Sequence, residues 1–364
     1  MNIYELGYTN DFEDYIIKNS LGDFEVGRVI TEHKERYVVR TSNGEFEAEI
    51  IGNMRFTAKN REDFPAVGDW VALTIFDAES AIIHKILPRF STIKRQAVGH
   101  HGEVQIIATN IDYAFLMQAI DRDFSINRFE RFLTICFAAK VEPIIILTKI
   151  DLIDKQRIAE LIENIKQRIK DISVFAISNE TRVGYEGLTK TISKGKTYCM
   201  LGSSGVGKST LLNNLSGKNV MKTGEISESS NKGRHVSSHR ELIVLENGGI
   251  LIDNPGMREV GITDSSNGLE TTFDVIYSLA EECKFKDCTH TNDIGCAVLE
   301  AVENGVIEKS SYENYLKLER EKEHFESTVA EKHKKDKDFG KMQKNYKKKQ
   351  KHNKNKNGKS NNQI

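Results

Sequence analysis

The rhythm of hydrophobic and polar positions changes three times along the chain. Between residues 25 and 90, short runs rich in β-branched and aromatic side chains occur at Glu25–Thr31, Tyr37–Thr41, Glu45–Ile50, Trp70–Phe76 and Ala81–Leu87. Asn43-Gly44, Gly52-Asn53, Pro65 and Gly68 punctuate them. Five short strands separated by turn residues predict a small β-barrel, with an OB-type barrel the leading candidate. Such barrels often bind RNA, and many serve other ends. Trp70, in Val67-Gly68-Asp69-Trp70-Val71, is expected to anchor the core rather than to stack on a base.

From about residue 104 strands alternate with helices. Tyr113–Ala119 reads as a strand, and Asp123–Ala139 as an amphipathic helix carrying Ile126, Phe129, Phe132, Leu133, Cys136 and Phe137 at helical spacing. Val141–Leu147 is continuously apolar, as a strand covered on both faces must be. Lys155–Lys170 is a second helix with Asp154 as its N-cap, followed by strands at Val174–Ile177 and Thr197–Leu201. Glu241–Ile252 reads as a hairpin turning at Asn247-Gly248. Strand–helix–strand alternation predicts a mainly parallel, doubly wound sheet. After 270 the chain turns helical around a cysteine cluster. From 331 it is too poor in apolar residues to fold alone and should be disordered. The expected division is an extension at 1–24, a barrel at 25–95, an α/β domain at 96–269, a helical metal module at 270–330 and a basic tail at 331–364.

Composition adds one asymmetry. The 364 residues carry a net charge of −1, but 13 Lys against three acids give the tail +10, leaving −11 on the rest. A basic tail on an acidic body points to a local nucleic-acid contact, salt-dependent through counterion release; the bland alternative is a solubilising tail. No apolar run approaches the ~18 residues of a membrane span, and Met1–Asn19 lacks a basic-then-apolar export signal. The expectation is a cytoplasmic chain with no membrane partner. Five cysteines do not make a disulfide framework, and three of them lie between 283 and 296.

Three segments carry chemistry. Gly202-Ser203-Ser204-Gly205-Val206-Gly207-Lys208-Ser209 fits the G-x-x-x-x-G-K-[ST] phosphate loop, entered from a strand and left by a helix that Gly217 closes. Its glycines let backbone N–H groups face a phosphate at a helix N-terminus, Lys208 reaches the β- and γ-phosphates, and Ser209 holds Mg²⁺. Thr148-Lys149-Ile150-Asp151 ends the apolar strand and resembles the [NT]-K-x-D guanine-recognition motif; a carboxylate there accepts from guanine N1–H and the 2-amino group, which adenine does not offer. GTP is therefore expected rather than ATP. Asp253-Asn254-Pro255-Gly256 matches D-x-x-G, whose Asp binds Mg²⁺ through water and whose Gly N–H senses the γ-phosphate. Ser178, at another strand end, is placed to bring a backbone contact to guanine O6. The candidate nucleotide contacts are the loop residues 202–209 with Thr210, then Thr148, Lys149, Asp151, Ser178, Asp253 and Gly256.

Ordinary small GTPases run phosphate loop, switch I, D-x-x-G, then N-K-x-D. Here T-K-x-D and the serine segment come first, so the sequence resembles a circularly permuted GTPase domain. The C-terminal module then comes directly after D-x-x-G, where switch II can pull on it. Cys283-x4-Cys288-x-His290-x5-Cys296 offers three thiolates and an imidazole, the donor set of a closed, structural Zn²⁺ site. Cys136 and Cys199 read as core residues.

A barrel, a permuted GTPase domain and this Cys/His module, in that order, resemble the RsgA (YjeQ/YloQ) family over about residues 25–325. The most specific stretches are Lys232–Leu242, the phosphate loop, Asp253–Gly256 and Cys283–Val298. The resemblance implies GTP hydrolysis to GDP and phosphate, stimulated by the small ribosomal subunit late in that subunit's maturation, with the barrel and zinc module gripping its rRNA and proteins. The expected state is a monomer.

The sequence departs from the family where switch I reads Gly233-Arg234-His235-Val236-Ser237-Ser238 instead of G-R-H-T-T-T. Ser237 still offers Mg²⁺ a hydroxyl. Thr148 replaces the commoner Asn, which should loosen packing around the base loop, and Asn254 replaces Thr. Met257 stands where many GTPases carry a water-orienting Gln. The resemblance points instead to His235 as the group that polarises the attacking water, with Lys208 stabilising the transferring phosphoryl group. The alternatives for His235 are an RNA contact or packing within switch I. The alternative for the whole chain is an RNA-binding GTP sensor with negligible turnover.

Overall fold

The computed structural model of the chain describes residues 2–33, 36–96, 104–121, 124–217, 240–253 and 266–329, together with 331 and 334. Five strands form the barrel: β1 (Glu25–His33), β2 (Arg36–Thr41), β3 (Glu45–Ile50), β4 (Trp70–Ile75) and β5 (Ser80–Ile86). They pair in the order β1-β2-β3-β5-β4, and β4 returns to β1, which closes the barrel. β3 shows why the sequence period sufficed: its residues alternate exposed and buried along its whole length. Inward-facing Val29, Tyr37, Val39, Phe46, Val71, Leu73 and Ile83 fill the interior.

Trp70 is fully buried, as expected, but on the other side of the barrel wall. It packs with Leu6, Tyr8 and Phe12, so helix α1 (Asn10–Lys18) and the turn before it form a cap. Tyr8 meets the indole edge-on with 5.0 Å between ring centroids. The first 24 residues thus complete a core that local pattern assigned to the barrel alone. Helix α2 (Gly52–Thr57) lies between β3 and β4. β6 (Thr92–Gln96) and β7 (Val104–Thr109) form an antiparallel hairpin that the strand pattern did not separate.

The same sheet continues into the α/β part with β8 (Tyr113–Ala119), β9 (Glu142–Thr148), β10 (Val174–Ala176), β11 (Thr197–Gly202), β12 (Arg240–Val244) and β13 (Ile250–Asp253), joined to the barrel through β12 and β1. The order β10-β9-β8-β11-β13 is parallel throughout, and β12 adds antiparallel to β13. Helices α3 (Ile126–Ala138) and α4 (Lys155–Arg168) cover one face, on Leu116, Ile145, Leu147 and Leu201. Helices α5 (Tyr185–Thr191) and α6 (Lys208–Ser216) cover the other, on Phe115, Ile146, Tyr198 and Met200. Two covered faces explain the uninterrupted apolar run of β9. The Asp154 carboxylate caps α4 by accepting from Arg157 N at 2.8 Å. Cys136 and Cys199 lie in the core, where burial pushes both thiols up.

Two devices join barrel to sheet. β12 pairs with β13 on one side and, through Glu241 and Arg240, with Thr31 and Glu32 of β1 on the other. Arg28 is wholly buried and donates to Leu6 O, Gly68 O, Asn110 O and Thr197 Oγ1, four segments far apart in sequence.

The C-terminal helices α7 (Ser266–Thr272), α8 (Asp274–Ala280), α9 (Ala297–Glu303) and α10 (309–329) pack around Phe273, Ile276, Val298 and Leu318. α7 approaches α3 so closely that a Cβ on Gly268 would lie 2.1 Å from Thr134 O. A buried ion pair joins α3 to α4 under α10. Arg168 binds both Glu130 oxygens at 2.6–2.7 Å, and Ser311 and Asn314 of α10 donate to the same carboxylate. Among the described residues no helix is long and apolar enough to cross a membrane.

Candidate nucleotide site and metal centre

The chemistry-bearing segments meet at one edge of the parallel sheet, beyond the carboxyl ends of β9, β10, β11 and β13, where open α/β sheets place ligands. Each strand leaves its last residue at that edge, and the loop after it carries a motif. Gly202 ends β11; Gly205 and Gly207 take positive φ values of 81° and 93°, curling the loop before α6 begins at Lys208. Ser209 and Thr210 occupy the first turn, half-buried. The Lys208 ammonium folds back on the loop, donating to Gly202 O and Ser203 O at 2.7 Å each. Burial lowers its pKa to about 8, with Asp253 pulling the other way. Asp253 itself ends β13, almost fully buried.

Thr148 and Asp151 lie at and just beyond the end of β9. The Thr148 hydroxyl donates to Val206 O at 2.8 Å, so threonine ties this loop to the phosphate loop. Lys149 is left-handed at φ 60° and pairs with Asp121 at 2.7 Å. Ser178 Oγ donates to Asp151 Oδ1 at 2.5 Å and accepts from Glu180 N and Thr181 N. Its side chain therefore orients the carboxylate, a role beyond the backbone contact expected of it. His235, Ser237 and Gly256 lie outside the described residues, as do the departures at Val236, Ser238, Asn254 and Met257 and the basic tail from 335.

Local pattern missed Asn179, Tyr185 and Asn214, which bridge the serine segment to the phosphate loop and α6. The only signal was a polar residue directly after the strand-end serine.

In the C-terminal module, the donor atoms of Cys283, Cys288, His290 and Cys296 all lie within 4.8 Å of one another. His290 Nδ1 is 3.6 Å from Cys283 Sγ and 3.4 Å from Cys296 Sγ, and those two sulfurs are 3.9 Å apart. A tetrahedron built on Zn–S bonds of about 2.3 Å and Zn–N bonds of about 2.0 Å has edges of about 3.8 Å and about 3.5 Å. The cluster fits such an ion. Cys296 also caps α9, accepting from Leu299 N at 3.4 Å, and Tyr312 OH donates to His290 O at 2.5 Å.

The family model described as RsgA GTPase matches residues 86–263. "Small ribosomal subunit biogenesis GTPase RsgA 1" of Bacteroides thetaiotaomicron is 42% identical over 328 residues, covering 90% of this chain and 91% of that one. The chain belongs to the RsgA GTPase family. RsgA GTPases hydrolyse GTP, and this chain is a GTP hydrolase of that family. An RsgA from Methanosarcina acetivorans is 39% identical, covering 85% of this chain and 82% of its own.

Two solved structures agree with RsgA membership. "YjeQ from Thermotoga maritima" superposes with a TM-score of 0.59 at 25% identity, covering 84% of this chain and 98% of that one. "YloQ, a circularly permuted GTPase" gives 0.57 at 25% identity, covering 85% and 96%. The barrel followed by a permuted GTPase domain is thus the RsgA architecture. An ABC transporter model also matches, over residues 185–360. It includes the phosphate loop, which both nucleotide-binding families use, and omits Thr148–Asp151.

Proposed function

We propose that this chain hydrolyses GTP to GDP and phosphate on the small ribosomal subunit, late in that subunit's maturation. The observation that carries this reading is the convergence of Asp151, Ser178, the 202–209 loop and Asp253 at one sheet edge, in permuted order. The names of the relatives support the partner.

In this mechanism Asp151, oriented by Ser178, accepts from guanine N1–H and the 2-amino group, while Thr148 keeps its loop on the phosphate loop and Lys149 flanks the ring. Backbone N–H groups from Gly202 to Thr210 and the Lys208 ammonium take up charge that develops on the β- and γ-phosphate oxygens. Ser209, Ser237 and Asp253 would hold Mg²⁺, which would supply positive charge against the phosphates. The Gly256 N–H meets the γ-phosphate. On the ribosomal subunit, His235 orients the attacking water. Cys283, Cys288, His290 and Cys296 bind one structural Zn²⁺. The divisions at 24, 95, 269 and 330 mark extension, barrel, GTPase domain, zinc module and tail, in a cytoplasmic monomer whose tail contacts RNA.

Met257 after D-x-x-G and Val236-Ser237-Ser238 in switch I favour one other reading, an RNA-binding GTP sensor with negligible turnover. GTP hydrolysis by the purified chain, with and without small ribosomal subunits and beside His235→Ala, separates the two. Strong stimulation lost in the variant supports the proposal and the role of His235. Stimulation that survives moves catalysis to another group. Tight GTP binding without stimulated turnover leaves the sensor.

A further inference from the structure

Asn179 stands between the two halves of the nucleotide site. Its neighbour Ser178 reaches forward to Asp151, while its own side chain reaches across to the phosphate loop, where Nδ2 donates to Gly207 O at 3.0 Å. The contact is close: a Cβ on Gly207 would lie 2.3 Å from Asn179 Nδ2, so the amide rests on the left-handed turn immediately before Lys208. The orientation of that amide is settled by a small ring of partners. Tyr185 OH donates to Asn179 Oδ1 at 2.7 Å; Asn214 Nδ2 donates to Tyr185 OH at 2.8 Å and to Asn179 O at 3.1 Å. Tyr185 is buried at the start of α5, and Asn214 lies on α6, the helix that the phosphate loop opens.

The chemistry of the contact is specific. Gly207 O belongs to the same peptide group as Lys208 N–H, which points toward the phosphate side of the loop, and it already accepts the first helical bond from Leu211 N at 2.9 Å. A second donor on that oxygen polarises the peptide and strengthens its N–H as a donor. It also fixes the loop relative to the serine segment that holds Asp151. We infer that Asn179 is a positioning residue that couples guanine recognition to the phosphate loop, so that a base seated against Asp151 meets phosphate donors already in place. This rests on the reading of Asp151 as the base contact and of 202–209 as the phosphate site.

The test uses the full chain with GDP and GTP. Asn179→Ala leaves the half-buried Gly207 O with its helical bond from Leu211 N alone and the Tyr185 hydroxyl without its acceptor; GDP affinity should fall, and KM for GTP rise, by about tenfold, while kcat falls by less than about threefold. Tyr185→Phe removes only the group that orients the amide and should move KM the same way by about threefold, which guards against an alanine variant that fails to fold. Asn179→Asp keeps the shape but loses the donor. Its deficit in GDP affinity relative to the parent should shrink as pH falls and the new carboxyl regains a proton to donate, a dependence that a merely structural role would not produce. GDP affinity within twofold of the parent in Asn179→Ala, a loss confined to kcat, or an Asn179→Asp deficit that ignores pH would each overturn the inference. Asp151→Asn is the control for its foundation, because an amide there donates where the carboxylate accepted and should exchange guanine preference for xanthine. If that exchange occurs while the Asn179 variants behave as the parent, the coupling alone is wrong. If Asp151→Asn keeps its guanine preference, the base site and the coupling fall together.

Discussion

Lys208 is 9% exposed, its ammonium rests on two carbonyls, and burial holds its pKa at about 8. A β-phosphate brought against that ammonium favours the charged form and returns the pKa toward the ordinary value of about 10.4. Nucleotide binding must then take up protons: about 0.1 per site at pH 7, about 0.5 at pH 8 and about 0.9 at pH 9. A basic group whose pKa rises on binding makes affinity fall as pH rises. Between pH 7 and pH 9 the GDP affinity should drop by about tenfold, or about 1.4 kcal/mol. Titration calorimetry at pH 8, in two buffers of different ionisation enthalpy, measures the uptake directly. Lys208→Arg supplies the comparison, because a guanidinium stays protonated throughout and any titration of the nucleotide itself is common to both proteins. An enthalpy independent of buffer in the parent, or equal uptake in the arginine variant, would refute the link between burial of Lys208 and its charge. The same sign predicts that GDP raises the melting temperature more at pH 7 than at pH 9.

Two further outcomes are expected from the packing. Arg28→Met removes a buried cation, which by itself is favourable, but it strands acceptors in the N-terminal turn, the barrel and the sheet. With four hydrogen bonds at stake the loss should win by about 3–5 kcal/mol in denaturant unfolding, and an unchanged midpoint would show that desolvation of the guanidinium outweighs its bonds. Metal analysis should find one zinc per chain, and a chelator or Cys296→Ser should open the 266–329 segment to proteolysis, since the cluster supports the cap of α9 and the core around Phe273 and Val298. A metal-free chain with the parent's cleavage pattern would remove zinc from the account of that module.

Much of the molecule was legible in its sequence, and for identifiable reasons. Period-two alternation specified strands such as β3, and a continuous apolar run identified β9 as a strand covered on both faces. The phosphate loop and the Cys/His cluster were readable because their chemistry needs fixed residue types at fixed short spacing, and the order of the motifs alone disclosed the permutation. His235, Ser237 and Gly256 were named by motif and resemblance, and lie outside the described residues.

Other features belong to the tertiary structure alone. Trp70 announced itself as a core residue, but its partners Leu6, Tyr8 and Phe12 come from the segment set apart as an extension. Arg28 looked like an ordinary strand residue, yet it bonds to four separate segments. Glu130 and Arg168, spaced like surface charges on two helices, became a buried pair only when α10 covered them. Thr148 read as a weakening, and only the fold shows that its hydroxyl reaches Val206 O across the sheet edge. Asn179 carried no motif at all. Short-range sequence records which backbone conformations and burial faces a segment prefers. Which polar atoms come within 3 Å of each other depends on how distant segments pack, and it is that packing which decides how Lys208, Asp151 and Asn179 act together.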